Sequence, residues 1–226
     1  MNTFDDLLST SIAIMMHHQY CIGDYYSWWY DSIIGLMLKK WRCEENDEVL
    51  IARWDSLSLY YISRYWLNFD RKLKVELRLN NNNFSKFPTE LLHREYIESL
   101  SEIDFSHNKL KKVPKRLFEL EYLEYLDLSH NMLQQIPNNI VWRDSLKTLN
   151  LNNNKLLDLP LCFSKRCYLR ILKLSSNFLT TLPVSIGEMP MLVELYISKN
   201  KKMYYLPNEL GKLKLVVLEL KDMDQV

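Results

Sequence analysis

Apolar residues return at fixed positions along most of this chain, with a period close to 23 residues. The unit is clearest over residues 123–137, which follow the pattern LxxLxLxxNxLxxLP with isoleucine at the last apolar position. Six of the seven prolines close such a unit, in steps of 26, 23, 23, 23 and 24 residues. Five apolar columns through six units make 30 positions, and all 30 are apolar. The chain is therefore an array of internal repeats, and the repeat determines its fold.

Each unit predicts one short strand followed by a turn. The alternation at Leu126 and Leu128 has period two, which is typical of a strand with one buried face. Tyr125, Asp127 and Ser129 are therefore expected to point outward. Proline fixes φ and lacks an amide hydrogen, so it ends the strand-like pairing and sends the chain to the convex side. An apolar anchor there closes each unit: Leu91, Leu117, Ile140, Phe163, Ile186 and Leu210.

One asparagine column runs through all six units on the inward side. A buried amide must be hydrogen-bonded, and its carbonyl and NH2 groups suit backbone partners in the adjacent coil. Loss of one amide is expected to leave unpaired backbone groups, at a cost of about 1–3 kcal/mol. The column predicts a structural ladder between coils, formed by Asn82, Asn108, Asn131, Asn154, Asn177 and Asn200.

This pattern resembles the leucine-rich repeat family over residues 73–222. The resemblance implies an α/β solenoid with parallel strands on its concave face and an N-terminal helical cap region. We divide the chain accordingly into a helical cap or flanking region, 1–70, and a leucine-rich repeat domain, 71–226. The second region holds six repeats and an unclosed seventh.

Residues 1–70 differ from the repeats, because they contain five of the six tryptophans and no proline. A solenoid must cover the core at its end, so we expect a helical cap here. The alternative is the stump of a separate module, with 42–48 as a polar loop between helices. One helix face is predicted by apolar residues that step by four: Trp29, Ile33, Met37 and Trp41. A degenerate strand is expected to lead into the first repeat at Leu57, Leu59 and Ile62.

The last complete repeat carries a second, narrower resemblance. Residues 195–213 have one residue more between Asn200 and Pro207 than neighbouring repeats, and they end in LPNELGKL. They are similar to the final repeat of the leucine-rich repeat kinases (the Roco family), and residues 54–67 loosely resemble the lead-in to the repeats of that family. The GTPase and kinase motifs of that family are not in these 226 residues.

An unclosed seventh coil begins near the C-terminus. Leu215, Leu218 and Leu220 fit its first positions, but the sequence reaches Val226 before the coil closes. An open solenoid end exposes apolar side chains and a strand edge. We therefore expect further chain, or a partner, to cover this end.

Composition excludes several classes of function. The four glycines are too far apart for a P-loop, a dinucleotide fingerprint or a kinase glycine-rich loop. With 29 basic and 28 acidic side chains, the net charge of +1 gives no global attraction to nucleic acid or anionic lipid. We expect no cofactor, no nucleic-acid partner and no membrane span. An acidic N-terminal segment and four scattered cysteines indicate reduced thiols and a cytoplasmic location.

Candidate binding residues follow from the outward strand positions, which stack into a concave sheet. The early coils are acidic there and the middle coils carry basic residues, and such a split can orient a charged partner. Tyr125 and Tyr196 are the expected aromatic anchors. The predicted partner-binding residues are Glu76, Arg78, Glu102, Asp104, Tyr125, Asp127, Lys147, Asn150, Arg170, Lys173, Glu194 and Tyr196.

Two histidines occupy equivalent positions in adjacent coils. His107 and His130 are therefore expected to lie close together, and a pair of imidazoles is a candidate for metal binding. Asn81 and Asn153 flank them in the same column, and asparagine is a poor ligand for transition metals. Without a third ligand, we expect a solvated surface and no metal.

The cysteines and two arginines on the convex side offer little chemistry. Cys162 and Cys167 have no general base that the sequence identifies, and Cys167 is expected to fill the core. Arg143 and Arg166 interrupt an otherwise apolar column. They mark a basic patch or extend outward along apolar surface. We predict no catalytic residue in this chain.

These observations predict a non-catalytic protein–protein interaction scaffold in intracellular signalling. The first alternative is a truncated fragment or isoform of a Roco-type GTPase and serine–threonine kinase, whose catalytic domains lie outside this chain. A further alternative is a repeat scaffold for signalling by a small GTPase. The family resemblance implies these roles, and the residues themselves indicate a surface suited to binding.

Overall fold

The computed structural model describes residues 43–45, 49–63, 67, 73–93, 99–161 and 167–222. In these ranges, nine strands form one sheet and follow one another in chain order. The first pair of strands is antiparallel and all later pairs are parallel. The strands are β1 Cys43–Glu45, β2 Val49–Arg53, β3 Lys74–Arg78, β4 Leu100–Asp104, β5 Tyr125–Asp127, β6 Thr148–Asn150, β7 Ile171–Lys173, β8 Glu194–Tyr196 and β9 Val217–Glu219.

The strands align the same repeat position in every coil. Leu126 lies beside Leu149, and the same column continues in both directions. Leu126 and Leu149 are fully buried, as is Leu128, the next inward residue of its strand. The register shifts at β3–β4, between Val75 and Glu76, where the first two repeats are also spaced more widely. The sheet and its repeated coils confirm the predicted solenoid with parallel strands.

The convex connections contain short 3-10 helices that begin after the repeat prolines. Pro183 has φ −67° and ψ 141°, an extended conformation that places the next residues at the start of the helix. Leu117 and Ile186 are buried anchors within these turns, as predicted, whereas Phe163 lies outside the described residues. The 3-10 helices are Thr89–Leu92, Lys115–Glu119, Val184–Glu188 and Asn208–Lys212.

The asparagine column forms the predicted ladder. Asn154 Oδ1 accepts the amide of Leu133 at 3.0 Å, and its Nδ2 donates to the carbonyl of Leu128 at 2.9 Å. Both partners belong to the preceding coil, and Nδ2 also donates to Leu151 O, at 3.2 Å. Equivalent bonds are present at each of the six asparagines, so each amide satisfies backbone groups of two neighbouring coils.

A left-handed residue precedes every ladder asparagine. His107 and His130, for example, both have φ 54°. This conformation costs energy for residues with a Cβ, and asparagine adopts it more readily than most. The turn directs the following asparagine inward, so the strain is repeated in each coil. The residues concerned are Asn81, His107, His130, Asn153, Ser176 and Lys199.

The described part of residues 1–70 contains two strands and the turn that follows them. β1 and β2 form an antiparallel pair, and β2 joins β3 in parallel, so the sheet begins one coil earlier than the sequence indicated. The predicted strand at Leu57, Leu59 and Ile62 is wrong, because these residues are buried in the turn after β2.

Leu57 occupies the ladder position of that first coil, and Asn82 of the next coil accepts the amides of Leu57 and Leu59. The interpretation of 42–48 as a loop between helices does not hold where the structure describes it, because Cys43–Glu45 is a strand. The predicted helix at Trp29–Trp41 lies outside the described residues, and the division at residue 70 stays a prediction.

Candidate protein-binding face

Two columns of outward side chains cross seven strands in register. They occupy the positions predicted from the repeat, and together they define what we call the concave face. The central column is Arg78, Asp104, Asp127, Asn150, Lys173, Tyr196 and Glu219. The neighbouring column is Glu76, Glu102, Tyr125, Thr148, Ile171, Glu194 and Val217.

The first coils place carboxylates close together with few cations among them. Arg78 Nη2 lies 3.2 Å from Glu76 Oε2, so the guanidinium compensates the charge of that carboxylate. Burial raises the pKa of Glu102, and the nearby Glu76 carboxylate raises it further. Burial likewise raises the pKa of Asp104, against the hydrogen bond that its Oδ1 accepts from the Ser106 amide at 2.9 Å. This part of the face therefore holds negative charge at an energetic cost, which a cationic partner would relieve.

The structure contradicts the solvent exposure predicted for Asp127. It was expected to face solvent, but its side chain is only 8% exposed. Its Oδ1 accepts the Ser129 amide at 2.8 Å, and its Oδ2 accepts both the Tyr125 hydroxyl at 3.1 Å and Asn150 Nδ2 at 2.7 Å. Ser129, also expected to point outward, is buried as well. Asp127 thus organises the face and does not itself present a free carboxylate.

The predicted division into acidic and basic halves is interrupted by ion pairs. Lys147 Nζ lies 2.6 Å from Glu124 Oε2, and Lys74 Nζ lies 3.6 Å from Glu124 Oε1. The hydrogen bond from Lys147 lowers the pKa of Glu124. Lys147 therefore forms an ion pair with the preceding coil. The sequence did not identify Lys74 as a partner of Glu124, because Lys74 lies one column away from the predicted binding residues.

Two tyrosines stand on the face with different partners. Burial and the neighbouring Asp127 raise the pKa of Tyr125, which is half-buried. Tyr196 donates its hydroxyl to Glu194 Oε2 at 2.9 Å, and that bond raises the pKa of Tyr196. Lys173 Nζ lies 5.6 Å from the Tyr196 ring centre, within the range of a cation–π contact.

The two histidines lie close together, as their equivalent positions predicted, and their rings are stacked. The rings of His107 and His130 lie 3.9 Å apart between centres, with planes 11° apart. Partial burial lowers the pKa of His130, and the neighbouring His107 lowers it further. Asn153 Nδ2 lies 3.2 Å from His130 Nε2 and occupies one ring nitrogen. Within the described ranges, no three His, Cys, Asp or Glu side chains converge as a metal site would need.

The remaining candidates are structural where the structure describes them. Cys167 is fully buried in the core, as predicted, and Arg143 Nε donates to the carbonyl of Glu119 at 3.2 Å. Cys162 and Arg166 lie outside the described residues. In the described segments, no helix has the length and apolar character needed to cross a bilayer.

Comparison with known proteins identifies the repeat. The family model described as leucine rich repeat matches residues 72–133, 98–156 and 144–201. No curated protein matches the chain significantly.

Solved structures share the fold at low sequence identity. A leucine-rich repeat protein of Bacteroides eggerthii is 24% identical with a TM-score of 0.64, over 79% of this chain and 32% of its own. One of Leptospira interrogans is 23% identical with a TM-score of 0.55, over 76% of this chain and 55% of its own. The Toll–Spätzle complex of Drosophila contains a chain 24% identical with a TM-score of 0.59, over 76% of this chain and 26% of its own. The chain therefore spans about a quarter to half of the structures that it resembles.

Proposed function

Because the chain belongs to the leucine-rich repeat family, we propose that it is a non-catalytic scaffold that binds a protein partner on its concave face. Leucine-rich repeat proteins commonly mediate protein–protein interaction, and the Toll–Spätzle complex pairs one such protein with a partner. The observation that carries the proposal is the register: outward side chains of seven strands form one continuous surface.

The size of the concave face supports this proposal. Neighbouring strands lie about 4.8 Å apart, so seven strands span roughly 30 Å. A standard protein interface needs about 800 Å² on each side, and a surface of this length can supply it. The face is formed by short strands held by the asparagine ladder, so a partner meets positions that are fixed before it binds.

The charges of the face indicate where a partner would bind first. Glu102 and Asp104 lack a cation within ion-pair distance among the described residues, and both carry a raised pKa. Tyr125 adds aromatic area beside Glu102, and Tyr196 adds more four strands further along the face. Aromatic side chains often dominate binding energy. We infer a partner that brings basic side chains to the first coils and a less charged surface to the later ones.

The test reverses charge on the face without disturbing the fold. Glu102→Lys with Asp104→Asn removes both carboxylates, and asparagine keeps an oxygen for the Ser106 amide. The control, Glu121→Lys with Asp144→Asn, makes the same change in charge at exposed positions away from the two columns. Partners are captured by each purified protein, and the affinity of each one is then measured by calorimetry.

We expect the concave variant to lose its partner and the control to keep it. Equal binding by both variants, with unchanged melting curves, would place the interaction elsewhere on the molecule. Nucleotide hydrolysis by the purified chain would contradict the non-catalytic role.

A fragment or isoform of a Roco-type enzyme is the second candidate. It is favoured by the sixth repeat, in which the extra residue forms a turn, with Met203 N donating to Asn200 O at 2.9 Å and Met203 buried. Sequencing the 3′ ends of the gene's transcripts tests this candidate: continuation of any of them into GxxxxGK[ST] and kinase motifs would support it, and a stop codon after Val226 in every transcript would reject it.

A cytoplasmic role in signalling, with a small GTPase as partner, is the finer form of the scaffold proposal. It rests on the scattered cysteines and on the Roco-like repeat. Binding to a panel of small GTPases, each loaded with GDP or a GTP analogue, tests this partner class. A nucleotide-dependent affinity that the Glu102→Lys/Asp104→Asn variant loses would support it, and the distribution of the tagged protein in cells tests the location.

A further inference from the structure

A cluster of basic residues lies on the flank of the solenoid, on both sides of one repeat proline, Pro114. Residues 109–116 read KLKKVPKR, with five basic side chains in eight positions and no acidic one, in a chain whose net charge is only +1. Leu110 and Val113 point into the core, so the basic side chains between and after them are exposed. With Lys86 of the preceding coil they form what we call the basic flank: Lys86, Lys109, Lys111, Lys112, Lys115 and Arg116.

The basic flank is confined to two coils. Lys109 donates its backbone amide to the carbonyl of Phe84 at 2.9 Å, which brings the two coils together there. Lys86 and Lys112 both precede the apolar residue before a repeat proline, so they are neighbours in one column. The next coil has Gln134 and Gln135 at the positions of Lys111 and Lys112.

The positive charges of the flank are not neutralised within the described residues. The ion pairs there involve Lys74, Arg78 and Lys147, all on the strand side. Lys109 Nζ bonds only to a neutral group, Asn83 Oδ1, at 2.7 Å. Clustered like charges raise the energy of the folded protein, and an anionic ligand would lower it.

A groove runs between the two coils at this place, with a volume of about 500 Å³. It is lined by Ser85, Lys86, Lys111 and Lys112, which are exposed, and by Phe87 and Val113, which are buried and form its floor. Phe87 is 7% exposed and Val113 is 6% exposed, so the apolar surface is recessed beneath the ammonium groups. A lysine is a compact charge with three donors, well suited to carboxylate and phosphate oxygens.

We propose that the basic flank is a second binding site, which takes an acidic peptide segment of a partner protein. An extended peptide can place several negative groups along the lysines and one apolar side chain on the recessed floor. A bilayer surface cannot reach that floor, and the groove offers no exposed aromatic ring on which a nucleic-acid base could stack. The site is separate from the concave face, so it does not depend on the function proposed there.

The test uses a fluorescein-labelled decapeptide of glutamates with a central leucine, followed by fluorescence anisotropy. Its neutral analogue has glutamine in place of each glutamate, and a third peptide carries phosphoserines. Lys111→Gln with Lys112→Gln installs the residues that the next coil already has, so the fold should tolerate it. The matched control is Lys212→Gln with Lys214→Gln, two exposed lysines in another coil.

We expect the acidic peptide to bind and its glutamine analogue not to bind. The flank variant should weaken the affinity roughly five- to tenfold, because two surface charge contacts are lost, and the control should leave it unchanged. The Glu102→Lys/Asp104→Asn variant should also retain the peptide. Tighter binding of the phosphoserine peptide, lost in the same variant, would support the site and assign phosphate as its preferred anion.

Two results would overturn the proposal. Equal losses in the flank variant and the control would mean that any lysine pair attracts the peptide. The acidic peptides could also fail to bind, while phosphatidylserine vesicles or a single-stranded DNA oligonucleotide bind through Lys111 and Lys112. The ligand of the basic flank would then be a lipid surface or a nucleic acid and not a peptide.

Discussion

Asn150 Nδ2 donates a hydrogen bond of 2.7 Å to Asp127 Oδ2, across the junction of β6 and β5. The same carboxylate accepts the Ser129 amide and the Tyr125 hydroxyl, so four residues from two coils share one buried group. A buried charge is tolerated only where hydrogen bonds replace its hydration. The middle of the concave face is therefore pre-organised by hydrogen bonds, and a partner would meet Asn150 and Tyr125 already fixed in place.

Asp127→Lys is expected to destabilise the protein by about 2–4 kcal/mol, because it buries a cation and leaves the Ser129 amide unpaired. Urea unfolding followed by circular dichroism measures the change. Asp144→Lys, an exposed carboxylate, should stay within about 0.5 kcal/mol of the native protein. Similar midpoints for the two variants would show that Asp127 is not structural. A binding test should accordingly use Glu102 and Asp104 and avoid Asp127.

Asn154→Ala should cost about 1–3 kcal/mol, since it orphans the Leu133 amide and removes one of the two side-chain hydrogen bonds that the Leu128 carbonyl accepts. The matched control is Asn138→Ala, an exposed asparagine whose removal should change stability by less than about 0.5 kcal/mol. Hydrogen exchange at Leu133 gives a local readout, and it should accelerate in the first variant alone. Unchanged protection there would contradict the ladder.

Gly187 and Gly211 are expected to respond oppositely to alanine. A Cβ at Gly187 would overlap the carbonyl oxygen of Glu209 and lie 2.6 Å from the Glu209 Cβ, so two convex turns would have to separate. Gly211 has nothing within 4 Å of an added Cβ. Gly187→Ala should therefore destabilise by about 1–3 kcal/mol, and Gly211→Ala should be neutral or slightly stabilising. Thermal unfolding of both variants measures this difference. Equal shifts of the melting temperature would argue against close packing of the convex turns that contain Gly187 and Glu209.

His130 should titrate below the ordinary pKa of histidine, because partial burial and His107 disfavour its charged form. A histidine with a lowered folded-state pKa binds fewer protons folded than unfolded, so stability falls as the pH drops through the ordinary value of 6.5 towards the folded-state pKa. His107→Asn installs the residue that Asn81 and Asn153 provide at this turn, and it should raise the pKa of His130.

Titration of the imidazole NMR signals between neutral and acidic pH measures this change. The variant should also lose less stability on acidification than the native protein. An unchanged His130 titration in the variant would mean that the stacked rings do not interact electrostatically.

The repeat made much of this structure predictable. Period and strand alternation give each residue its place within a coil, and identical coils stack with identical positions adjacent. The register of Leu126 with Leu149, the bonds of Asn154 and the proximity of His107 to His130 all follow from that rule. It also predicted the two outward columns, because side chains alternate strictly along a strand.

The tertiary structure decided how these side chains compete for partners. Position in a coil does not say whether Asp127 faces water or accepts three hydrogen bonds, nor that Glu124 draws Lys147 to 2.6 Å. The repeat pattern also misses the coil that begins with Val49–Arg53, because Leu57 stands at its ladder position and Asn82 of the next coil bonds the amides of Leu57 and Leu59. Sequence periodicity fixes the backbone through local patterns, whereas hydrogen bonds and ion pairs between coils depend on distances that only the stacked chain brings about.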